Sequence, residues 1–168
     1  MANKTTFASF LRSNGGDQSR VAYAGSVPMV AQFYVSNAAA STANVQVSST
    51  DTRAVVLPEN AIVDMVLTVG AATGGSSPTI DLGIADYDGG STITDTDGLG
   101  DNLRSDINAR QDLASGQAGT LIDNQTALTE KAVVTATVGD SAPTGGTLSG
   151  VIYYHIQDDG KLGDTPLT

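Results

Sequence analysis

Two stretches of this chain read alike. Val63–Gly70 is VDMVLTVG and Ala132–Gly139 is AVVTATVG. Each runs into a small-residue loop holding Thr-Gly-Gly (Thr73-Gly74-Gly75 and Thr144-Gly145-Gly146), and each is followed by another apolar strand. Apolar residues alternating with polar ones between glycine-rich turns form strands, because a strand points successive side chains to opposite faces. The repeat therefore predicts two hairpins of a β-sandwich.

The same period recurs elsewhere. Met29, Ala31, Phe33 and Val35 alternate in Pro28–Ser36; Val45 and Val47 flank Gln46; Thr52–Leu57 is stopped by Pro58. In Ile62–Val69 the alternation places Val63, Met65, Leu67 and Val69 on one face, with Asp64 and Thr68 on the other. Ile80, Leu82 and Ile84 follow, then Val134, Ala136 and Val138, then Ile152, Tyr154 and Ile156. The opposite face of that last strand, Val151, Tyr153 and His155, is also apolar for the most part, as in a central strand or one covered by a partner. Between Ile80 and the Val134–Val138 group, residues 81–123 hold nine Asp and two Arg. This reads as a long acidic loop, with a short helix over Asn102–Ala114 from the spacing of Leu103, Ile107, Gln111 and Ala114. About eight strands in two four-stranded sheets predict an all-β, jelly-roll-like sandwich. Residues 1–24 form an N-terminal arm, 25–157 the sandwich body and 158–168 a polar tail.

Composition narrows the function. Of 168 residues, none is Cys or Trp and one is His, which excludes disulfides, thiolate metal sites, cysteine catalysis and a His-rich zinc site. Absence of Cys fits assembly in a reducing cytoplasm. No run approaches the roughly 20 apolar residues of a membrane span, and Met1–Gly15 lacks the apolar run of a signal peptide. The net charge is −10, spread as +2 over residues 1–53 and −12 over residues 54–168. An acidic body repels phosphate backbones, so neither nucleic acid nor membrane is expected as a partner.

Two sets of side chains are candidates for binding. Asp95-Thr96-Asp97-Gly98, with Asp101 beyond it, resembles part of a calcium loop: Ca²⁺ takes six to eight oxygens, and glycine lets a loop bend round the ion. Asp95, Asp97 and Asp101 are the candidate ligands, although a third ligand before the glycine and a closing Glu are missing. Asp-Gly pairs also form ordinary turns on a solvated loop. No other cofactor is expected. The second set is adhesive: Phe7, Phe10, Leu11, Arg12 and Arg20 on the arm, with Tyr153 and His155 on the last strand. Apolar anchors would supply affinity, and a basic arm against an acidic body would guide docking. No Gly-x-Ser-x-Gly elbow, phosphate loop or dinucleotide fingerprint occurs, and nothing in the sequence suggests a Ser-His-Asp arrangement. The expectation is a non-enzymatic protein.

The run Arg53–Val63 (RAVVLPENAIV), with its LPxxAxV pattern, resembles the leading strand of small virion proteins of tailed phages. Leu82-Gly83-Ile84 with the Asp-rich segment, then Ala132–Gly139 and Val151–Tyr154, are similar to the rest of that body, over roughly residues 50–157. The resemblance implies a jelly-roll capsid cement or decoration subunit that binds the major capsid protein across capsomers, often as a homotrimer. Its place would be the capsid surface, after synthesis in the host cytoplasm. Fibre or receptor-binding modules that hold glycan are the alternative it leaves open. It carries over no catalytic residues.

Overall fold

The computed structural model describes residues 28–36, 43–71, 77–89, 94–107, 111–112 and 118–156. The arm residues Phe7, Phe10, Leu11, Arg12 and Arg20, the loop Thr73–Gly75 and the tail lie outside these. The strands are β1 (Met29–Ser36), β2 (Ala43–Asn44), β3 (Val56–Leu57), β4 (Ala61–Gly70), β5 (Thr79–Asp86), β6 (Thr94–Arg104), β7 (Gln111–Asp112), β8 (Ala132–Val138) and β9 (Thr147–Ile156). One helical turn, α1 (Thr120–Asp123), lies between β7 and β8. No helix among the described residues is long and apolar enough to cross a membrane.

The strands make two antiparallel sheets. Sheet A has the order β1-β9-β4-β7 and sheet B the order β2-β8-β5-β6, with β3 pairing β8 beside it. The pairs are nested: β1 with β9, β2 with β8, β4 with β7 and β5 with β6. Successive pairs fall alternately in sheets A and B, as when one long antiparallel ribbon is wound round a barrel. That is the jelly roll, and the all-β sandwich expected from the alternation is what the chain forms.

Alternation sets the core. Phe33, Val35, Val63, Val66, Leu148 and Ile152 of sheet A face Ile80, Leu82, Ile84, Leu99, Leu103, Val134 and Ala136 of sheet B in one buried cluster. Fully burying each such large side chain contributes about 1.5–3 kcal/mol. A small hairpin joins the sheets on one side: Val47 N–H donates to Arg53 O and Val55 N–H to Val45 O. Its Gln46 exchanges both backbone bonds with Tyr34 of β1, while Val45 and Val55 bond Val134 of β8. On the other side α1 tucks Leu121 and Ile122 against the core.

Four expectations are corrected. The look-alike segments are not hairpins: β4 and β5 lie in different sheets, as do β8 and β9. Their loops cross the sandwich, and the two units pair with each other, β4 with β9 and β5 with β8. Second, β4 does not keep one face throughout. A bulge at Asp64 shifts its register between Val63 and Met65, and a one-residue shift turns every later side chain over. Val66 and Thr68 are buried and Val69 is exposed. Third, the acidic run is not one long loop. Most of its described part is strand: the end of β5, β6 hairpinned onto it, and β7. Fourth, Asn102–Arg104 ends that strand and Gln111–Asp112 is β7, so the Asn102–Ala114 helix does not form; Asn102 has φ 51°, which an α-helix does not admit.

Candidate docking surface

The two sheets have unlike outer faces. On sheet B the outward residues of the central strands are paired rung by rung: Asp81 with Thr137, Gly83 with Thr135 and Ala85 with Val133. They are small, or carry a carboxylate. β6 covers them with a bulge, since Leu82 pairs with Gly100 while Ile84 pairs with Asp95. The residues Asp95-Thr96-Asp97-Gly98 make up this detour. A side chain at Gly83 would collide with the Asp95 and Thr96 backbone beneath the bulge, and one at Gly119 with the Asp97 and Gly98 backbone above it. Both glycines are therefore required by close backbone approach.

The carboxylates here are engaged with the protein. Thr120 Oγ1 donates to Asp95 Oδ2 at 2.8 Å. The Asp97 carboxyl is raised above the usual carboxylate range, chiefly by its hydrogen bond to Asp95, then by burial and by the Asp95 and Asp101 charges. Further along, Asp81 Oδ1 accepts the Asn102 N–H at 2.8 Å. Burial raises the Asp81 carboxyl; that hydrogen bond opposes the rise, and the Asp101 and Asp140 charges add to it. Asn102 Oδ1 accepts from Thr79 Oγ1 and from the Asp140 N–H. This network holds the end of β6 in its left-handed turn. Among the described residues, no three His, Cys, Asp or Glu side chains converge as a metal site would require.

Sheet A presents the opposite chemistry. Its rungs pair Val30 with Tyr153 and Tyr153 with Met65, then Gln32 with Val151 and Val151 with Leu67. Val30 is 52% exposed and Val69 38% exposed, and Tyr153, Met65 and Val151 are half-buried. Tyr87, on the β5 side, is also exposed, but Lys131 Nζ sits 3.6 Å from its ring centroid. Among the described residues, the other exposed large apolar side chains, Met29, Val30 and Val69, all belong to sheet A.

His155 lies at one end of this face. The bulge that inverts β4 turns Asp64 toward it, so His155 Nδ1 meets Asp64 Oδ1 at 2.9 Å and Oδ2 at 3.0 Å. Gln125 Nε2 donates to the Val63 carbonyl at the same bulge, at 3.1 Å. The sequence concealed Asp64, because strict alternation assigns it an outward place with no partner. The signal was a lone carboxylate inside an apolar strand. A His–Asp pair is two thirds of a hydrolytic triad, but no hydroxyl among the described residues bonds the ring's other nitrogen. Of the predicted adhesive residues, the structure places Tyr153 and His155 together on this face.

No protein-family model matches the chain, and no curated protein sequence matches it. Its fold is similar to that of a chain in the capsid of Ralstonia phage GP4: TM-score 0.52, 17% sequence identity, covering 80% of this chain and 86% of that one. The likeness is one of fold.

Proposed function

We propose that this protein is a structural subunit of a phage particle and docks through the outer face of sheet A. The observation that carries the reading is the jelly roll shared with a phage capsid chain across four fifths of the sequence. The open face supports it: Val30, Tyr153, Met65, Val151 and Val69 form an apolar strip whose polar neighbours, His155 and Asp64, bond each other. Interface cores are depleted in charge and enriched in Tyr and Met, and open apolar strips on sheets mark contact surfaces. The acidic side would face solvent. We read the finer role as cement or decoration on the major capsid protein, as a homotrimer at the capsid surface and without catalysis. Among the described residues no nucleophile stands beside His155 to make use of its aspartate partner.

Quantitative mass spectrometry of particles released from cells carrying the gene tests this. Hundreds of copies per particle, with antibody labelling of the outer shell, are the expected result. A handful of copies would move the protein to a fibre or receptor-binding position, and absence from particles would overturn the virion reading.

A further inference from the structure

Among the described residues Asp-Gly occurs twice, at Asp88-Gly89 and at Asp97-Gly98. The pair is chemically reactive. Gly has no Cβ to shield its amide nitrogen or to restrict its backbone, so the nitrogen can reach the carboxyl of the residue before it. To close that ring, the peptide after Asp must swing out of the angles of a strand or a turn. Which pair reacts is therefore decided by which backbone moves more easily.

The fold treats the two pairs oppositely. Asp97-Gly98 lies within β6, in the bulge over sheet B, and Gly98 is buried. The Asp95 carboxylate and Leu121 fill the space beside Gly98, and Gly119 presses on the Asp97 and Gly98 backbone. The Asp97 carboxyl is itself hydrogen-bonded to Asp95. Asp88-Gly89 lies in the turn that follows β5, and both residues are exposed. Tyr87 anchors the first half of that turn: its N–H donates to the Lys131 carbonyl at 3.2 Å, and Lys131 Nζ covers its ring. In the second half the Gly89 N–H donates to the Asp86 carbonyl at 3.3 Å, longer than an ordinary N–H···O bond. Gly89 has φ 75°, and none of the described residues comes within 4 Å of the place a Cβ would take.

We infer that Asp88 is a site of spontaneous isomerisation to isoaspartate, and that the β6 bulge protects Asp97 from the same reaction. The Gly89 nitrogen attacks Asp88 Cγ. A C–N bond forms, the Cγ–OH bond breaks, and the hydroxyl leaves with the amide proton as water, closing a succinimide. Water then opens the ring. Attack at the α-carbonyl breaks the original peptide bond, routes the chain through Cγ and leaves a free α-carboxyl. One water leaves and one enters, so the mass does not change. The product carries an extra methylene in the main chain of the β5–β6 turn.

Incubation of the full chain in heavy-oxygen water tests this, once folded and once in guanidinium. Ring opening leaves one heavy oxygen at the reacted residue. Electron-transfer fragmentation locates it and distinguishes isoaspartate from aspartate. In the folded protein Asp88 should convert about tenfold or more faster than Asp97, since opening an exposed turn costs far less than displacing a packed strand. In guanidinium the two should convert at similar rates. Asp88→Glu, whose longer side chain closes its ring far more slowly, should lose the signal at that position and keep the rest of the pattern. Equal rates at Asp88 and Asp97 in the folded protein, no conversion at Asp88, or a signal that survives Asp88→Glu overturns the inference. So does a preference of the same size in guanidinium, because sequence and not fold would then set it. No particle enters this experiment, so its outcome is separate from that of the virion reading.

Discussion

Sheets A and B are built from the same alternating strands, yet among the described residues only sheet B has its outer face covered. Sheet B keeps its outward residues small, glycine and alanine among them, and lays the β6 bulge across them. Its surplus carboxylates are tied into Asn102, Thr120 and one another. Sheet A carries Val30, Met65, Val151, Tyr153 and Val69 outward, and among the described residues no segment lies across them. Among the described residues, the difference is that between a covered face and an open one. It also separates the roles of neighbouring residues: on β9, Ile152 holds the sandwich together while Tyr153, one position on, faces the other way.

That neighbour pair provides the sharpest way to break the comparison. Ile152→Ala, in the buried cluster, should cost about 2–5 kcal/mol of unfolding free energy. Tyr153→Ala should cost about 1 kcal/mol or less, yet remove particle binding. Urea denaturation beside a sedimentation binding assay reads both, and equal stability losses at the two positions would erase the distinction between faces.

Next in size is the cover on sheet B. Gly83→Val drives a side chain into the Asp95 and Thr96 backbone, and should cost about 1–3 kcal/mol while leaving the sheet A face able to bind. A variant as stable as the parent would show that the bulge does not press on the sheet.

The smallest effect is electrostatic. Because the Asp97 carboxyl is raised in the folded protein, its proton favours the folded state at low pH, and that contribution is lost as pH rises through the folded value. Asp97→Asn keeps a donor toward Asp95 at every pH. It should therefore stabilise the protein at pH 7 by a few tenths of a kcal/mol at most, given its exposure, with the gain vanishing below the ordinary value of 3.8. Melting curves across that range check the sign.

The strands that follow strict alternation were legible in the sequence. Ala31–Val35, Ile80–Ile84, Val134–Val138 and Ile152–Ile156 place their predicted faces inward, because a period of two leaves no other register with a buried core; Met29, at the start of β1, is exposed. The errors fall where an extra residue enters. Asp64 inverts the rest of β4, and the detour Asp95–Gly98 made a strand look like a loop. Long-range pairing was hidden for a different reason. Two similar strand–loop–strand units read equally well as two local hairpins or as one unit pairing with the other, and local pattern carries no term for which sheet a strand joins. That Tyr153 and His155 share one face of β9 was legible from the alternation of that strand. Their neighbours Val30, Met65 and Asp64 were not, since they arrive from other strands.

A density map of a particle carrying this protein tests the central claim most directly. The account predicts that Val30, Met65 and Tyr153 lie against the underlying shell, with Asp81, Asp101 and Asp140 turned to solvent. A map with the acidic side against the shell and the sheet A strip exposed would contradict it.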